Sequence, residues 1–144
     1  MASIFWRSRD MAYTEHLPIY KESYALCLYL EQVVRQFSRY HKYTLGSDVR
    51  DGARRVLKCI VRANARSDKT PVLLELREEL EELKVLLRLA GDLKAFGSFK
   101  SFEHAITQVV AIAKQNEGWI KSQRRGHGRN RRAMPERLAT PSAP

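Results

Sequence analysis

The chain has 144 residues, 44% of them apolar, which is enough to bury one hydrophobic core without metals or disulfides. Lysine and arginine number 26 against 16 acidic residues, and the net charge of +10 predicts a surface that attracts polyanions, unless the charge serves solubility alone. No apolar run reaches the roughly 18 residues of a membrane span, and the apolar stretch at the N-terminus is too short for a signal peptide. These features argue against a membrane protein and predict a cytoplasmic one.

The first predicted helix begins at Leu17 and Pro18, because proline fits the first helical turn, where its missing N–H would have no partner anyway. The apolar periodicity of this helix ends near Tyr40. Residues 1–16 precede the pattern and are predicted to form an N-terminal arm, in which Met11 is an alternative start.

Three more helices are predicted from capping signals and apolar periodicity. Ser47, followed by the negative charge of Asp48, is expected to cap the second helix. Thr70 and Pro71 form a strong start signal for the third, whose leucines recur at spacings of three and four residues that suit bundle packing. Ser101 is expected to cap the fourth.

Helices of about 20 to 25 residues joined by short connections are typical of an antiparallel up-down-up-down four-helix bundle. No run of alternating apolar and polar residues predicts a strand. We therefore predict an all-α bundle at residues 17–125 and, because the remainder is rich in arginine and poor in apolar residues, a disordered basic C-terminal tail at residues 126–144. Near the end of the fourth helix, Gly118 before Trp119 indicates either a close backbone approach or a packed indole.

The residues that catalysis or metal binding would need form no constellation in the sequence. The four histidines lie near the ends of different segments, and Cys27 and Cys59 lie within apolar patterns, so both are predicted to be reduced core residues. The third helix carries an acidic face made of Glu75, Glu78, Glu79, Glu81 and Glu82. Metal-binding bundles also need a Glu-x-x-His pair, which is absent here, so we predict a solvated acidic face, no metal, no cofactor and no enzymatic activity.

The basic residues of the second helix are better organised. They recur at every fourth position, and because four residues turn by about 400°, they form a slowly winding ridge that can follow a phosphate backbone. The ridge comprises Arg50, Arg54, Lys58, Arg62 and Arg66, with Arg55 beside it. An ordinary solvated face is the alternative, although such a face usually mixes signs, and only Asp48 and Asp51 are negative along this stretch.

In an antiparallel bundle, the ends of the first and third helices lie beside the starts of the second and fourth. That end would collect Arg35, Arg39, Lys42, Arg50, Arg54, Lys84, Arg88 and Lys94. Tyr40 and Tyr43 lie near these charges, but tyrosines at helical spacing are expected in the core or at its rim more than as base-stacking platforms. The tail that follows Arg124 and Arg125 could fold onto the glutamates, onto a neighbouring subunit or onto RNA.

Four short segments follow one another along the chain. They are Tyr43-Thr44-Leu45-Gly46, the stretch from Leu86 to Lys94, Phe102-Glu103, and Gly118-Trp119-Ile120-Lys121-Ser122. Taken in order, they resemble the accessory variability determinant (Avd) proteins of diversity-generating retroelements, over about Leu17 to Arg125. Four-helix proteins encoded in intervening sequences of 23S ribosomal RNA genes share this bundle.

The resemblance implies a bundle without an active site that assembles into a homopentamer. It further implies binding to the element's reverse transcriptase and to its template RNA, or RNA/DNA, in support of mutagenic complementary-DNA synthesis. The family's basic surface is matched by segment to Arg54, Arg55, Lys58, Arg62, Lys84, Arg88 and Lys121. With Arg50, Arg124 and Arg125, these are the candidate binding residues. The alternative function is a structural, oligomerising bundle of the intervening-sequence type.

Overall fold

The structure is a computed structural model that describes residues 14–138, with side chains described for residues 14–128. Its helices are α1 (Pro18–Arg35), the short α2 (Arg39–Lys42), α3 (Leu45–Asn64), α4 (Thr70–Asp92) and α5 (Phe99–Leu138). This part of the chain contains four long helices and no strand, which confirms the all-helical prediction. Most of the predicted N-terminal arm, Met11 included, and the end of the tail at 139–144 lie outside the described residues.

All four long helices contribute to one core. Each packs against its neighbours in the chain, and α5 returns to pack against α1, so that the helices surround a common interior. Its fully enclosed side chains include Leu26 and Leu30 of α1, Ile60 of α3, Leu73, Leu76, Leu80, Leu83 and Leu87 of α4, and Ile112 and Ile120 of α5. The spacing of three and four residues between the α4 leucines therefore places one continuous stripe in the core.

The order of contacts between helices shows how they lie against each other. Between α1 and α5, the Gln115 amide donates a hydrogen bond to the Glu22 carboxylate at 2.7 Å, and the Tyr29 hydroxyl donates to the Ser101 carbonyl oxygen at 2.9 Å. Residue numbers thus fall along α5 as they rise along α1. This is the order that two neighbouring helices running in opposite directions produce.

The first connection differs from the prediction at both of its ends. α1 ends before Tyr40, and α3 begins upstream of Ser47, the predicted cap. The reason lies at Gly46, where an added Cβ would be 2.7 Å from Cγ1 of Val34 and 3.1 Å from the His41 carbonyl oxygen. Leu45 and Gly46 therefore belong to the closely packed first turn of α3, upstream of Ser47.

The other two helix starts also differ from the predicted caps. At α5 the Ser98 hydroxyl oxygen, and not that of Ser101, accepts the bond, and it does so from the Ser101 N–H at 3.1 Å. Thr70 is the first residue of α4, and Lys69 occupies the cap position. The Lys69 ammonium group donates a hydrogen bond to the Asn64 carbonyl oxygen at 3.1 Å. Both contacts are local, since their partners are three and five residues apart, and the start of α5 offers two serines at the first of these spacings.

The last helix is longer than predicted. α5 continues to Leu138, so residues 126–138 are helical where the sequence predicted disorder. A helix that is already nucleated by its packed part gains one backbone hydrogen bond per added residue, and arginine favours helix. An added Cβ at Gly118 would meet nothing within 4 Å, so there is no close backbone approach there, whereas Trp119 packs partly buried against the core.

Candidate nucleic-acid interface

The first part of the α3 ridge is paired with carboxylates. Arg50 lies 3.6 Å from the Glu31 carboxylate of α1, and Arg54 forms an ion pair with the same carboxylate. Arg54 also lies 3.6 Å from Asp51, one turn away in α3. A single glutamate of α1 thus draws two of the candidate arginines toward the α1–α3 boundary.

The next two arginines of α3 pair with α4. Nε of Arg55 donates to Glu79 at 3.0 Å, and Nη2 of Arg62 lies 2.8 Å from Glu75. These hydrogen bonds raise the pKa of both guanidinium groups. Glu75 and Glu79 were predicted to belong to a solvated acidic face. Glu75 is exposed as predicted and Glu79 is half-buried, and both lie against the ridge.

Two cations of the predicted ridge have no such partner. Lys58 is exposed and forms no ion pair with any described residue. Arg66 lies beyond the end of α3 and is likewise exposed and unpaired within residues 14–128. The positive charge that the ridge can offer to an anionic partner therefore lies mainly at Lys58 and at Arg66, near the C-terminal end of the ridge.

Three further candidate residues share the groove between α4 and α5. A cleft of about 460 Å³ is lined by Lys84 and Lys121, and an adjoining one of about 360 Å³ by Lys84 and Arg88. Lys84 donates to Glu81 at 2.7 Å, whereas Arg88 and Lys121 are exposed without an ion pair to a described side chain. Arg124 and Arg125 lie further along α5 and are exposed.

The same groove holds an ion pair that the sequence did not predict. Arg77 of α4 binds Glu117 of α5 through two parallel hydrogen bonds of 2.6 and 2.9 Å. These bonds lower the pKa of Glu117, as do, to a lesser extent, the charges of Lys121 and Arg124. The partners are 40 residues apart, so no local pattern could reveal the pair.

Two apolar stripes remain exposed on opposite sides of the bundle. Val85 and Leu89 of α4 and Leu93, which follows its last residue, recur at every fourth position, and Val85 is 66% exposed. On α1, Tyr24 and Leu28 form a second stripe, and Leu28 is 53% exposed. α1 and α4 occupy diagonal corners of the bundle, so the stripes face away from each other.

No group of three His, Cys, Asp or Glu side chains in the described part of the chain is arranged to hold a metal ion. Over the same residues, no helix combines the length and apolar character of a bilayer span. The Cys27 thiol donates a hydrogen bond to the Ala53 carbonyl oxygen at 3.3 Å, and burial raises the pKa of this thiol to about 11. Burial likewise raises the pKa of Cys59.

Four helices around one core, with cationic residues along α3 and along the α4–α5 groove, define a basic helical-bundle protein. The sequence profile of the family described as bAvd-like matches residues 17–123, and the chain belongs to that family. This confirms the resemblance to the Avd proteins, and the family is of an accessory, non-catalytic type connected with diversity-generating retroelements. No curated protein matches the chain.

Proposed function

We propose that this protein is the accessory subunit of a diversity-generating retroelement and that it binds the element's reverse transcriptase and template RNA to support mutagenic complementary-DNA synthesis. The observation that carries the proposal is the family match over residues 17–123, which includes all of α1 to α4 and the packed part of α5. The net charge of +10 supports a polyanionic partner.

Binding to RNA would depend mainly on phosphate contacts, and the candidate residues differ in their fitness for this role. Lys58, Arg88 and Lys121 are exposed and unpaired among the described residues, so their charge is available to phosphates. The paired arginines of α3 would first have to leave a carboxylate. Affinity should therefore decrease steeply with salt, with a slope set by the unpaired cations.

Two triple variants, each of which removes three positive charges, test whether the unpaired cations dominate RNA binding. Lys58→Gln, Arg88→Gln and Lys121→Gln together should weaken binding to the template RNA about tenfold or more at moderate salt, and should flatten the salt dependence. The matched variant changes the paired residues, as Arg54→Gln, Arg55→Gln and Arg62→Gln, and should lose clearly less affinity. Anisotropy of a labelled template RNA measures both, with circular dichroism to verify the helical fold.

Equal losses in the two variants would mean that net charge alone attracts RNA and that these positions have no special part. The reverse transcriptase is tested separately, by co-purification with the wild-type protein in the presence and absence of template RNA. Failure to retain the enzyme under either condition would contradict the accessory role.

The protein is also proposed to assemble with itself, in the homopentamer that the family resemblance implies. The two apolar stripes support this, because they differ from each other and lie on opposite sides of the bundle. Contacts between unlike faces are head-to-tail contacts, and these generate a closed ring when the rotation between subunits allows it.

A further inference from the structure

One end of the bundle exposes aromatic rings that the core does not use. Tyr40 of α2 is 82% exposed, Tyr43 just after it 68%, and Phe99 at the start of α5 73%. They belong to the α1–α3 and α4–α5 connections, which meet at this end, because the rings of Phe37 and Phe96 pack with their centroids 5.4 Å apart. We call this surface the aromatic end.

The ring of Phe99 is held on a support of other rings. Phe96 packs edge-on against Phe102 at 5.6 Å between centroids, and Phe102 lies 6.1 Å from Phe99. Phe37 and Phe96 are buried, so this row of rings leads from the core to the surface. The exposed ring of Phe99 is therefore held at the surface by contact with packed rings.

A cleft adjoins this exposed ring. It has a volume of about 400 Å³, and its lining includes Phe96, Phe99 and Phe102, with Lys94 and Asp92 among its polar residues. Lys94 has a left-handed backbone, with a φ of 57°, where α4 ends and the chain turns toward α5. An aromatic cleft with an ammonium group suits a flat heterocycle that is linked to a phosphate.

The charge at the aromatic end is mainly positive and unpaired. Residues 35–48 and 88–104 contain six Lys and Arg against three Asp and Glu. The six are Arg35, Arg39, Lys42, Arg88, Lys94 and Lys100. None of them forms an ion pair within the described side chains, in contrast to the arginines of α3, and the Lys42 ammonium lies 6.0 Å from the centre of the Tyr43 ring.

We propose that the aromatic end binds unpaired nucleotides of RNA, with bases stacked on Tyr40, Tyr43 and Phe99 and phosphates contacted by the surrounding lysines and arginines. Stacking needs a free base face, which single strands and loops offer and duplexes do not. Exposed rings among unpaired cations match that chemistry. The inference rests on the proposed RNA binding, and it assigns the single-stranded part of the RNA to the aromatic end.

The test uses the full-length protein and two labelled probes, a short adenosine homopolymer RNA and an RNA duplex of equal length. Tyr40→Ala, Tyr43→Ala and Phe99→Ala together keep every charge and remove the three rings. Because stacking contributes about 1 to 3 kcal/mol per base, this variant should bind the single strand about tenfold or more weakly, with an unchanged salt slope and less than a twofold effect on the duplex. The matched control, Tyr40→Phe, Tyr43→Phe and Phe99→Tyr, keeps the rings and should bind like the wild type.

A second measurement needs no variant. Single-stranded RNA containing 5-iodouridine, irradiated with the wild-type protein, should cross-link to peptides from 36–50 and 92–104. If the alanine variant binds the single strand like the wild type, or if cross-links map elsewhere, the aromatic end is not the site and RNA binding itself still stands. If the wild-type protein binds neither RNA, both this inference and the proposed RNA binding are overturned. If the alanine variant loses binding to the reverse transcriptase but keeps its RNA binding, the aromatic end is a contact for the enzyme and the inference is overturned.

Discussion

At the scale of single residues, burial decides the chemistry of the two cysteines. The partly buried Cys27 thiol donates a hydrogen bond to the Ala53 carbonyl oxygen, and burial raises its pKa to about 11 against a smaller lowering by Arg54. The folded state therefore holds the thiol proton more tightly than the unfolded chain does. This contribution to stability is complete below the unfolded pKa of about 8.5, and is lost as pH rises from there toward 11.

Cys27 is expected to react slowly with iodoacetamide. At pH 8 a thiol of ordinary pKa is about one quarter thiolate, whereas a pKa near 11 leaves about 0.1%, so alkylation should be at least about a hundredfold slower than in denatured protein. Peptide mass spectrometry at pH 7 to 10 measures the rate at Cys27, with protein in guanidinium as the control. The rate should keep rising about tenfold per pH unit, and a plateau above pH 8.5 would contradict the raised pKa.

At the scale of helices, two glycines that lie within helices have opposite surroundings. Gly46 begins α3 where the backbone passes closely by Val34 and the His41 carbonyl oxygen. Gly118 lies in the interior of α5 with open space where a Cβ would be. The sequence predicted a close approach as one possibility at Gly118, but the close approach occurs at Gly46.

Alanine at each position should therefore shift stability in opposite directions. Gly46→Ala should destabilise the fold by about 1 to 3 kcal/mol, because the carbonyl of His41 is backbone and cannot move aside easily. Gly118→Ala should stabilise it by up to about 1 kcal/mol, because glycine is a poor helix former. Urea unfolding followed by circular dichroism measures both, and a stabilised Gly46→Ala would show that the first turn of α3 has room for a Cβ.

The α3 ridge shows which part of an element can be read from its sequence. The sequence correctly predicted a helix here, but its arginines reach both neighbouring helices: Arg50 and Arg54 pair with α1, and Arg55 and Arg62 pair with α4. The sequence did not predict the charge balance, because Glu31, Glu75 and Glu79 belong to other helices. The spacing within a helix is local information, whereas the pairing of its side chains depends on which helices become neighbours.

At the scale of the whole molecule, the two exposed stripes make a specific prediction about assembly. Val85→Glu with Leu89→Glu should prevent self-association, and so should Leu28→Glu on the opposite side, because each removes one half of a head-to-tail contact. Thr107→Glu with Ser122→Glu adds two charges to the exposed face of α5 and should leave assembly intact. Light scattering coupled to size-exclusion chromatography measures the mass of each variant.

Mixing the α1-stripe variant with the α4-stripe variant distinguishes the kind of contact. In a head-to-tail assembly, one intact α4 stripe of the first and one intact α1 stripe of the second can pair, and the product stops at a dimer. If the stripes instead paired with themselves, each variant alone would dimerise through its intact stripe. A wild-type protein that remains a monomer would contradict both arrangements and the proposed self-assembly.

The sequence by itself determined the helical class, the four long helices, the basic character and the family, because apolar periodicity, net charge and ordered short motifs are properties of the chain. The tertiary structure decided which cations are free. It paired Arg55 with Glu79 and Arg77 with Glu117, and it left Tyr40 and Phe99 exposed at the end where two connections meet. Such contacts join residues tens of positions apart, so they exist only once packing of the core has placed the helices side by side.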